Sequence, residues 1–239
     1  MRGCLFTLVL AAALAFIVVN VGLPAVAAGA LTATITAAGL QAPDTVVTVA
    51  SDPTTELLGL HADSVHVTAT GATFRDLKIG SLDLTLSDVS GVDRTVGTVD
   101  GTLTDVTVTS LATGPVLLRT IAIAGGSDAI TVSTAIANAD AEALVSAAVL
   151  RATGSRPTSV TLASPNLVTV VVGGAKVSGH LLVTGSGDLS VQIDDGPGAG
   201  TSTVLLQGGT DLPIRLTKVS IGTAGNLRIS GTLAIGLLG

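Results

Sequence analysis

The sequence predicts a mainly β protein of the α+β class, built on antiparallel strands with one or two helices. Apolar and polar residues alternate along most of the chain after residue 30, as in strands with one buried face. One central segment departs from this alternation and has the spacing of a helix. Of the 239 residues, 47% are hydrophobic but only 1% are aromatic and 12% charged, so we expect an aliphatic core.

The first thirty residues form an apolar segment typical of protein export. Arg2 is followed by no charged residue until Asp44, and residues 5–19 are almost wholly apolar. The small-residue sequence Ala25–Ala27 then offers a cleavage site, which completes the layout of a secretory signal. The segment is also long enough for an uncleaved membrane anchor, and a buried helix is a weaker alternative.

These features predict two parts: a signal peptide or N-terminal membrane anchor at residues 1–30, and one β-rich domain at residues 31–239. The domain is expected outside the cytoplasm, in the cell envelope or a periplasm-like space. Between the two parts, Leu31–Leu40 fits either a strand or a continuation of the apolar helix. The lone cysteine, Cys4, precedes the domain, which would therefore contain neither a disulfide nor a reactive thiol.

Strands of period 2 are predicted along most of the domain. A glycine-rich turn at Gly185–Asp188 marks a hairpin, and another turn falls at Gly222–Asn226. The apolar parity slips between Leu216 and Val219, which predicts a bulge at Thr217–Lys218. The alternating apolar positions are Val65 and Val67; Leu82, Leu84 and Leu86; Ile130, Val132 and Ile136; Val168, Val170 and Val172; Leu181 and Val183; Leu189, Val191 and Ile193; Ile214 and Leu216; Leu227, Ile229 and Leu233.

A helix of about fourteen residues is predicted from Asn138 to Arg151. Asn138 or Asp140 is expected to cap its start, and Gly154 follows its end. Its apolar positions at helical spacing are Ala141, Leu144, Val145, Ala148 and Val149. A weaker helical pattern covers Pro53–Leu58.

The residues that carry enzyme chemistry are sparse, so we expect a protein that is not an enzyme and needs no cofactor. The three histidines, His61, His66 and His180, lack the spacing of a zinc motif, and no serine lies in a nucleophile elbow. We interpret the glycine-rich stretch after Asp194 and Asp195 as an acidic loop, because no Lys-Ser or Lys-Thr pair follows it. The scattered Lys and Arg residues and the net charge of −6 argue against nucleic acid as a partner.

Four stretches give the chain a resemblance to a known family. Residues 62–67 and 77–89 form a "strand, small-residue turn, strand, Asp-Val" opening, and residues 212–221 and 225–231 form a closing "Leu-Pro-hydrophobic-Arg … Gly-x-Leu-x-Ile-x-Gly" hairpin. In this order they resemble the LmeA-like phospholipid-binding proteins of actinobacterial cell envelopes. The order of elements matches across roughly residues 44 to 235, including the central helix.

The resemblance implies a fold similar to the tubular lipid-binding fold, in which a long curved antiparallel sheet is wrapped around one or two helices. It also implies non-catalytic binding or transfer of a phospholipid or other acyl lipid at a membrane surface. The chain departs from the family at Leu31–Pro43, which is short and uncharged, and at Ser51–Leu58, where relatives often carry aromatic residues.

Lipid-lining residues are predicted from the apolar parity of the longest strands, because acyl chains need apolar burial and little directed hydrogen bonding. The alternative is a structural or adhesive surface domain in which the same residues form a closed, dry core. The candidate lining residues are Leu82, Leu84, Leu86, Val106, Val108, Leu181, Val183, Ile214, Leu216, Leu227 and Ile229.

Overall fold

The computed structural model describes residues 23–37, 39–74, 77–93, 95–109, 115–126, 129–208 and 214–233. Most of the predicted export segment, residues 1–22, therefore lies outside the described residues, as does Cys4. Within the described ranges, no helix is both long and apolar enough to cross a membrane.

Two α-helices, one 3-10 helix and fourteen strands make up the described chain. Helix α1 is Leu23–Ala37, helix α2 is Asn138–Thr153, and the 3-10 helix is Thr54–Gly59. The strands are β1 (Leu40–Gln41), β2 (Asp44–Ala50), β3 (His61–Phe74), β4 (Leu77–Ser90), β5 (Thr95–Val108), β6 (Val116–Gly126), β7 (Ile130–Ile136), β8 (Pro157–Ala163), β9 (Leu167–Val172), β10 (Ala175–Val183), β11 (Leu189–Asp195), β12 (Ser202–Leu206), β13 (Ile214–Ile221) and β14 (Leu227–Leu233).

The strands form two antiparallel sheets. The large sheet has nine strands in the order β1-β3-β4-β5-β6-β7-β14-β13, with β2 also paired to β3. The small sheet has five strands in the order β12-β11-β10-β9-β8. The predicted mainly β fold with a long antiparallel sheet is confirmed. The second sheet was not predicted from the alternation of residues.

Helix α2 confirms the strongest local prediction, since all five of its predicted apolar positions are buried. Its start differs from the prediction: the N-cap is Ala137, and no side chain caps the helix. Asn138 lies one residue inside the helix, where its amide nitrogen donates to Glu142 Oε1 at 2.8 Å. Gly154 ends the helix in the left-handed region, at φ 70°, as glycine does at many helix ends.

Helix α1 resolves the ambiguous segment that follows the apolar N-terminus. The helix continues to Ala37, and the first strand begins only at Leu40. The predicted boundary at residue 30 consequently falls inside α1. One side of the helix rests on the large sheet through Ala27, Ala28, Leu31 and Ile35, yet none of its residues is fully buried. The weaker helical prediction after Pro53 corresponds to the 3-10 helix.

Two bends shape the longest strands. In β5, the buried residues change from odd to even numbers between Val99 and Val106, and Asp105 between them has φ 50°. The neighbouring strand has Gly80 opposite, where an added Cβ would lie 3.0 Å from Asp105 Cβ. Asp88 (φ 51°) and Gly97 form a matching pair, in which a Cβ added at Gly97 would lie 2.7 Å from Asp88 Cβ. At each bend, an aspartate with a left-handed backbone conformation lies opposite a glycine on the neighbouring strand, because a Cβ at the glycine position would clash with the aspartate.

The sheets meet along β13, at one edge of the large sheet. The backbone N–H of Leu216 donates to Gly187 O at 3.1 Å, and that of Ile221 donates to Pro165 O. Arg215 adds a side-chain hydrogen bond to Gly185 O. The predicted bulge at Thr217 is confirmed by a register shift between Leu216 and Lys218.

Most of the buried side chains belong to one main core, formed by the large sheet, the small sheet and α2. A second, smaller cluster lies under α1 and includes Val47, Val49, Val65 and Val67. Leu82 packs against both clusters, so the apolar interior continues from one to the other.

Candidate functional site: an apolar cavity on the large sheet

One face of the large sheet is apolar from edge to edge. Residues paired directly across two antiparallel strands point to the same side of a sheet. The register pairs Val67 with Leu84, Leu84 with Gly101, and Gly101 with Ile123. The row then continues through Val132 in β7 to Gly231 in β14 and Leu216 in β13. Most of this row is aliphatic, with glycine at two positions.

A cavity of about 80 Å³ lies on this face. Nine of its ten lining residues are aliphatic, and the tenth is Thr134, whose hydroxyl donates to Thr120 O at 2.9 Å. Among the described lining residues, Thr134 alone has a side-chain donor, and this hydrogen bond uses it. The described part of the wall therefore offers few hydrogen-bond partners to a polar ligand. The lining residues are Leu77, Leu103, Val106, Leu118, Ile121, Ile123, Val132, Thr134, Ile214 and Leu233.

The cavity also shows how strongly the sheet is curved. Its wall includes Leu77 from β4 and Ile214 from β13, which are five strands apart in the large sheet. In a flat sheet, five strand spacings would separate them by about 24 Å. Both residues contact one small cavity, so the sheet must curl until these strands approach each other. This curvature agrees with the predicted curved sheet.

Part of the cavity wall is accessible from outside, because several of its side chains are only half-buried. Leu77, Leu103, Ile121, Ile123 and Leu233 are all only partly buried, whereas Val106 and Leu118 beneath them are fully buried. A volume of about 80 Å³ is well below the roughly 300–1,000 Å³ of pockets that hold a drug-sized ligand. A long acyl chain would therefore fit only if the outer side chains moved apart.

The structure distributes the eleven predicted lining residues over four groups. Val106 and Ile214 line the cavity. Leu181 and Val183 belong to the small sheet, and Val183 is half-buried. Those on the large sheet that lie in the closed main core are Val108, Leu216, Leu227 and Ile229. The half-buried residues beside the cluster under α1 are Leu82, Leu84 and Leu86.

Leu103, another lining residue, was missed because the buried parity of β5 changes at the bend at Asp105. Extending the parity of Val106 and Val108 back along β5 selects even-numbered residues, but the buried parity before Asp105 is odd and includes Leu103. In β6, the alternation of Ile121 and Ile123 is visible in the sequence and could have identified both residues.

The opposite face of the large sheet is polar. His66 lies there, and its Nε2 forms a 2.9 Å hydrogen bond with the exposed carboxylate of Asp83. A shallow depression of about 310 Å³ on the same face is lined mainly by small residues such as Ala122 and Ser133, together with Arg228. On the small sheet, His180 forms a similar pair with Asp194 at 2.8 Å.

The third histidine has different surroundings. His61 lies with Glu56 and Asp63 in a group whose ligand atoms are all within 4.8 Å of one another. Imidazole nitrogen and carboxylate oxygen atoms bind zinc and other divalent metals in proteins. No metal site was predicted from the sequence here, because the three residues form neither a cysteine motif nor a paired-histidine motif. The sequence pattern also does not show that Glu56 lies beside the start of β3.

No protein-family model, curated protein or solved structure matches this chain. The resemblance to the LmeA-like proteins therefore remains a prediction from the sequence.

Proposed function

We propose that this protein binds a phospholipid or other acyl lipid at the cell envelope, without catalysing a reaction on it. The observation that supports this proposal best is the partly open aliphatic cavity on a continuous apolar sheet face. Burial of apolar surface contributes about 25 cal/mol per Å² and does not require directed hydrogen bonds. The described lining residues have no free side-chain donor, which suits an acyl chain better than a polar substrate.

Helix α1 offers a way to enlarge the site. It covers the part of the apolar face next to Leu82, Leu84 and Leu86, and it is held there without a single fully buried residue. If α1 moved, the exposed aliphatic strip would extend from the cavity to β2. An acyl chain could then replace the helix on the sheet.

The surface of α1 suits such an exchange. Thr32, Thr34 and Thr36 each donate their hydroxyl to the helix carbonyl four residues earlier, at 2.8 to 2.9 Å. These internal hydrogen bonds satisfy the polar groups of an otherwise aliphatic helix. Helix α1 can therefore lie against lipid or against the sheet with little loss of hydrogen bonding.

A structural or adhesive surface domain is the second candidate. The small size of the cavity favours it, as does the full burial of predicted lining residues such as Leu227 and Leu181. In that case the aliphatic face would serve only as a core.

The test measures lipid uptake by the purified chain and by two tryptophan variants. Ile121→Trp would fill the cavity, whereas Ala122→Trp places the same side chain one residue along β6, on the polar face. We expect the unmodified chain and Ala122→Trp to retain co-purifying lipid, detected by mass spectrometry, and to take up a fluorescent phospholipid. Ile121→Trp should lose both while keeping the circular dichroism spectrum of the folded protein.

Equal lipid uptake by the two variants would show that the cavity is not the lipid-binding site. The absence of both co-purified lipid and fluorescent uptake in the unmodified chain would leave the structural domain as the better explanation.

A further inference from the structure

We propose that Glu56, His61 and Asp63 form a binding site for one divalent transition-metal ion, with Zn²⁺ preferred. Their ligand atoms, one from each side chain, all lie within 4.8 Å of one another. Two of the side chains are half-buried and that of Asp63 is exposed, so an ion can enter from solvent. This site is separate from the apolar cavity and does not depend on lipid binding.

Local chain geometry brings the three residues together. Glu56 lies in the 3-10 helix, which ends at Leu60 with a left-handed φ of 57°. That turn leads directly into β3, whose first residue is His61. His61 and Asp63 are two positions apart on the strand, a spacing that places side chains on the same side. The chain then needs only the short 3-10 turn to bring Glu56 beside them.

Hydrogen bonds orient the two carboxylates. The backbone N–H of Asp52 donates to Asp63 Oδ2 at 2.7 Å, which leaves Oδ1 of Asp63 for an ion. The Ser51 hydroxyl donates to Glu56 Oε2 at 3.4 Å. Bound metals commonly have ligands that are held by such outer contacts.

Charge also favours a cation at this position. Among the described residues, no lysine or arginine forms an ion pair with Glu56 or Asp63, and the whole chain has a net charge of −6. Two neighbouring carboxylates without a counterion repel each other, and a divalent ion would neutralise both. The other histidines differ, since His66 and His180 each contact a single carboxylate.

The donor set selects the metal. One imidazole nitrogen and two carboxylate oxygens suit Zn²⁺, with water at the fourth position, whereas Mg²⁺ and Ca²⁺ prefer oxygen ligands alone. Ligand atoms around a tetrahedral Zn²⁺ are about 3.4 Å apart, so the three side chains would rotate towards one another on binding. A bound ion would fasten the 3-10 helix to the start of β3.

The test is calorimetric titration of the tag-free full chain with ZnCl₂, together with thermal unfolding. We expect one Zn²⁺ per chain and a rise in Tm of about 5 °C at roughly a hundredfold excess over Kd. His61→Ala and Asp63→Asn should each weaken Zn²⁺ binding by at least about tenfold while the metal-free Tm stays nearly unchanged.

His66→Ala and His180→Ala are the matched controls, because each removes a histidine that contacts a carboxylate outside the cluster. Both should bind Zn²⁺ like the unmodified chain. The proposal is overturned if the unmodified chain binds no Zn²⁺, if His61→Ala binds it unchanged, or if Mg²⁺ stabilises the protein as much as Zn²⁺ does.

Discussion

Helices α1 and α2 are nearly equal in length, with 15 and 16 residues, but they are buried to very different extents. Helix α2 carries charged residues such as Glu142 and Arg151, yet five of its side chains are at most 1% exposed. Helix α1 has no charged residue and no buried one. The more apolar helix is therefore the less buried of the two.

The difference shows that burial here depends on an apolar stripe and a matching partner rather than on total hydrophobicity. The stripe of α2, which includes Leu144 and Val145, faces an interior that closes around it. Helix α1 is apolar on all sides, so the large sheet can cover only part of its surface. Its exposed side includes Val26, which is 71% exposed.

Replacing leucine with aspartate on each helix should give the largest effect and the clearest contrast. Leu144→Asp would place a carboxylate in the closed main core and should destabilise the protein by more than about 4 kcal/mol, so that it fails to fold. Leu31→Asp on α1 should leave the fold intact, because the carboxylate can reach solvent. Chemical denaturation monitored by circular dichroism would measure both, and similar losses would contradict the contrast drawn between the helices.

Leu84→Asp tests the sheet beneath α1. Leu84 is half-buried, so we expect a folded protein that is destabilised by about 2 kcal/mol and has lost lipid uptake. Denaturant titration and the fluorescent phospholipid assay would check this. Complete unfolding would instead identify this part of the sheet as closed core, as in the α2 region.

Gly97→Ala tests the bend that Gly97 in β5 shares with Asp88 in β4. An alanine Cβ would approach Asp88 Cβ to 2.7 Å, and we expect a cost of about 2 kcal/mol. Adding Asp88→Gly should restore much of the loss, because it removes that Cβ and glycine tolerates a φ of 51°. The four-variant stability cycle measures the coupling, and additive effects would show that the two residues do not share one bend.

The smallest effect is expected from shortening a side chain of α1. Leu31→Ala should cost about 1 kcal/mol, because Leu31 is only partly covered by the sheet. Leu144→Ala in α2 should cost about 3 kcal/mol, as expected for a side chain that is 1% exposed. Equal losses in denaturant titrations would mean that α1 is held as firmly as α2.

Regular alternation and helical spacing predicted much of this fold. The stripe of α2 and the hairpin around Gly185–Asp188 follow from local periodicity and turn chemistry, and both are present. Division of the strands between two sheets could not be predicted, because alternation shows which residues face inward but not which strands they meet. The same limit applies to the ambiguous segment that begins at Leu31. Its β-branched residues favoured a strand, whereas in the structure most of it is part of helix α1 and packs on the sheet.

The candidate cavity was predictable only in part, because long strands change their buried parity at Asp88 and Asp105. An aspartate with positive φ has no distinctive sequence pattern, and its glycine partner lies on another strand. Leu103, which lies beyond a bend, was therefore not among the predicted lining residues. The cluster around His61 was missed for a related reason, since its third member lies in a 3-10 turn outside the strand pattern.

The hydrogen bonds along β13 also limit the association of separate molecules through this edge of the large sheet. A strand at the edge of a sheet presents free N–H and C=O groups that can recruit a strand from another molecule. At this edge, however, the N–H groups of Leu216 and Ile221 already donate to loops of the small sheet, and Arg215 adds a third link. The small sheet therefore blocks this edge to strands of other molecules. This protection against edge-to-edge aggregation matters for a chain that has few charges to keep its molecules apart.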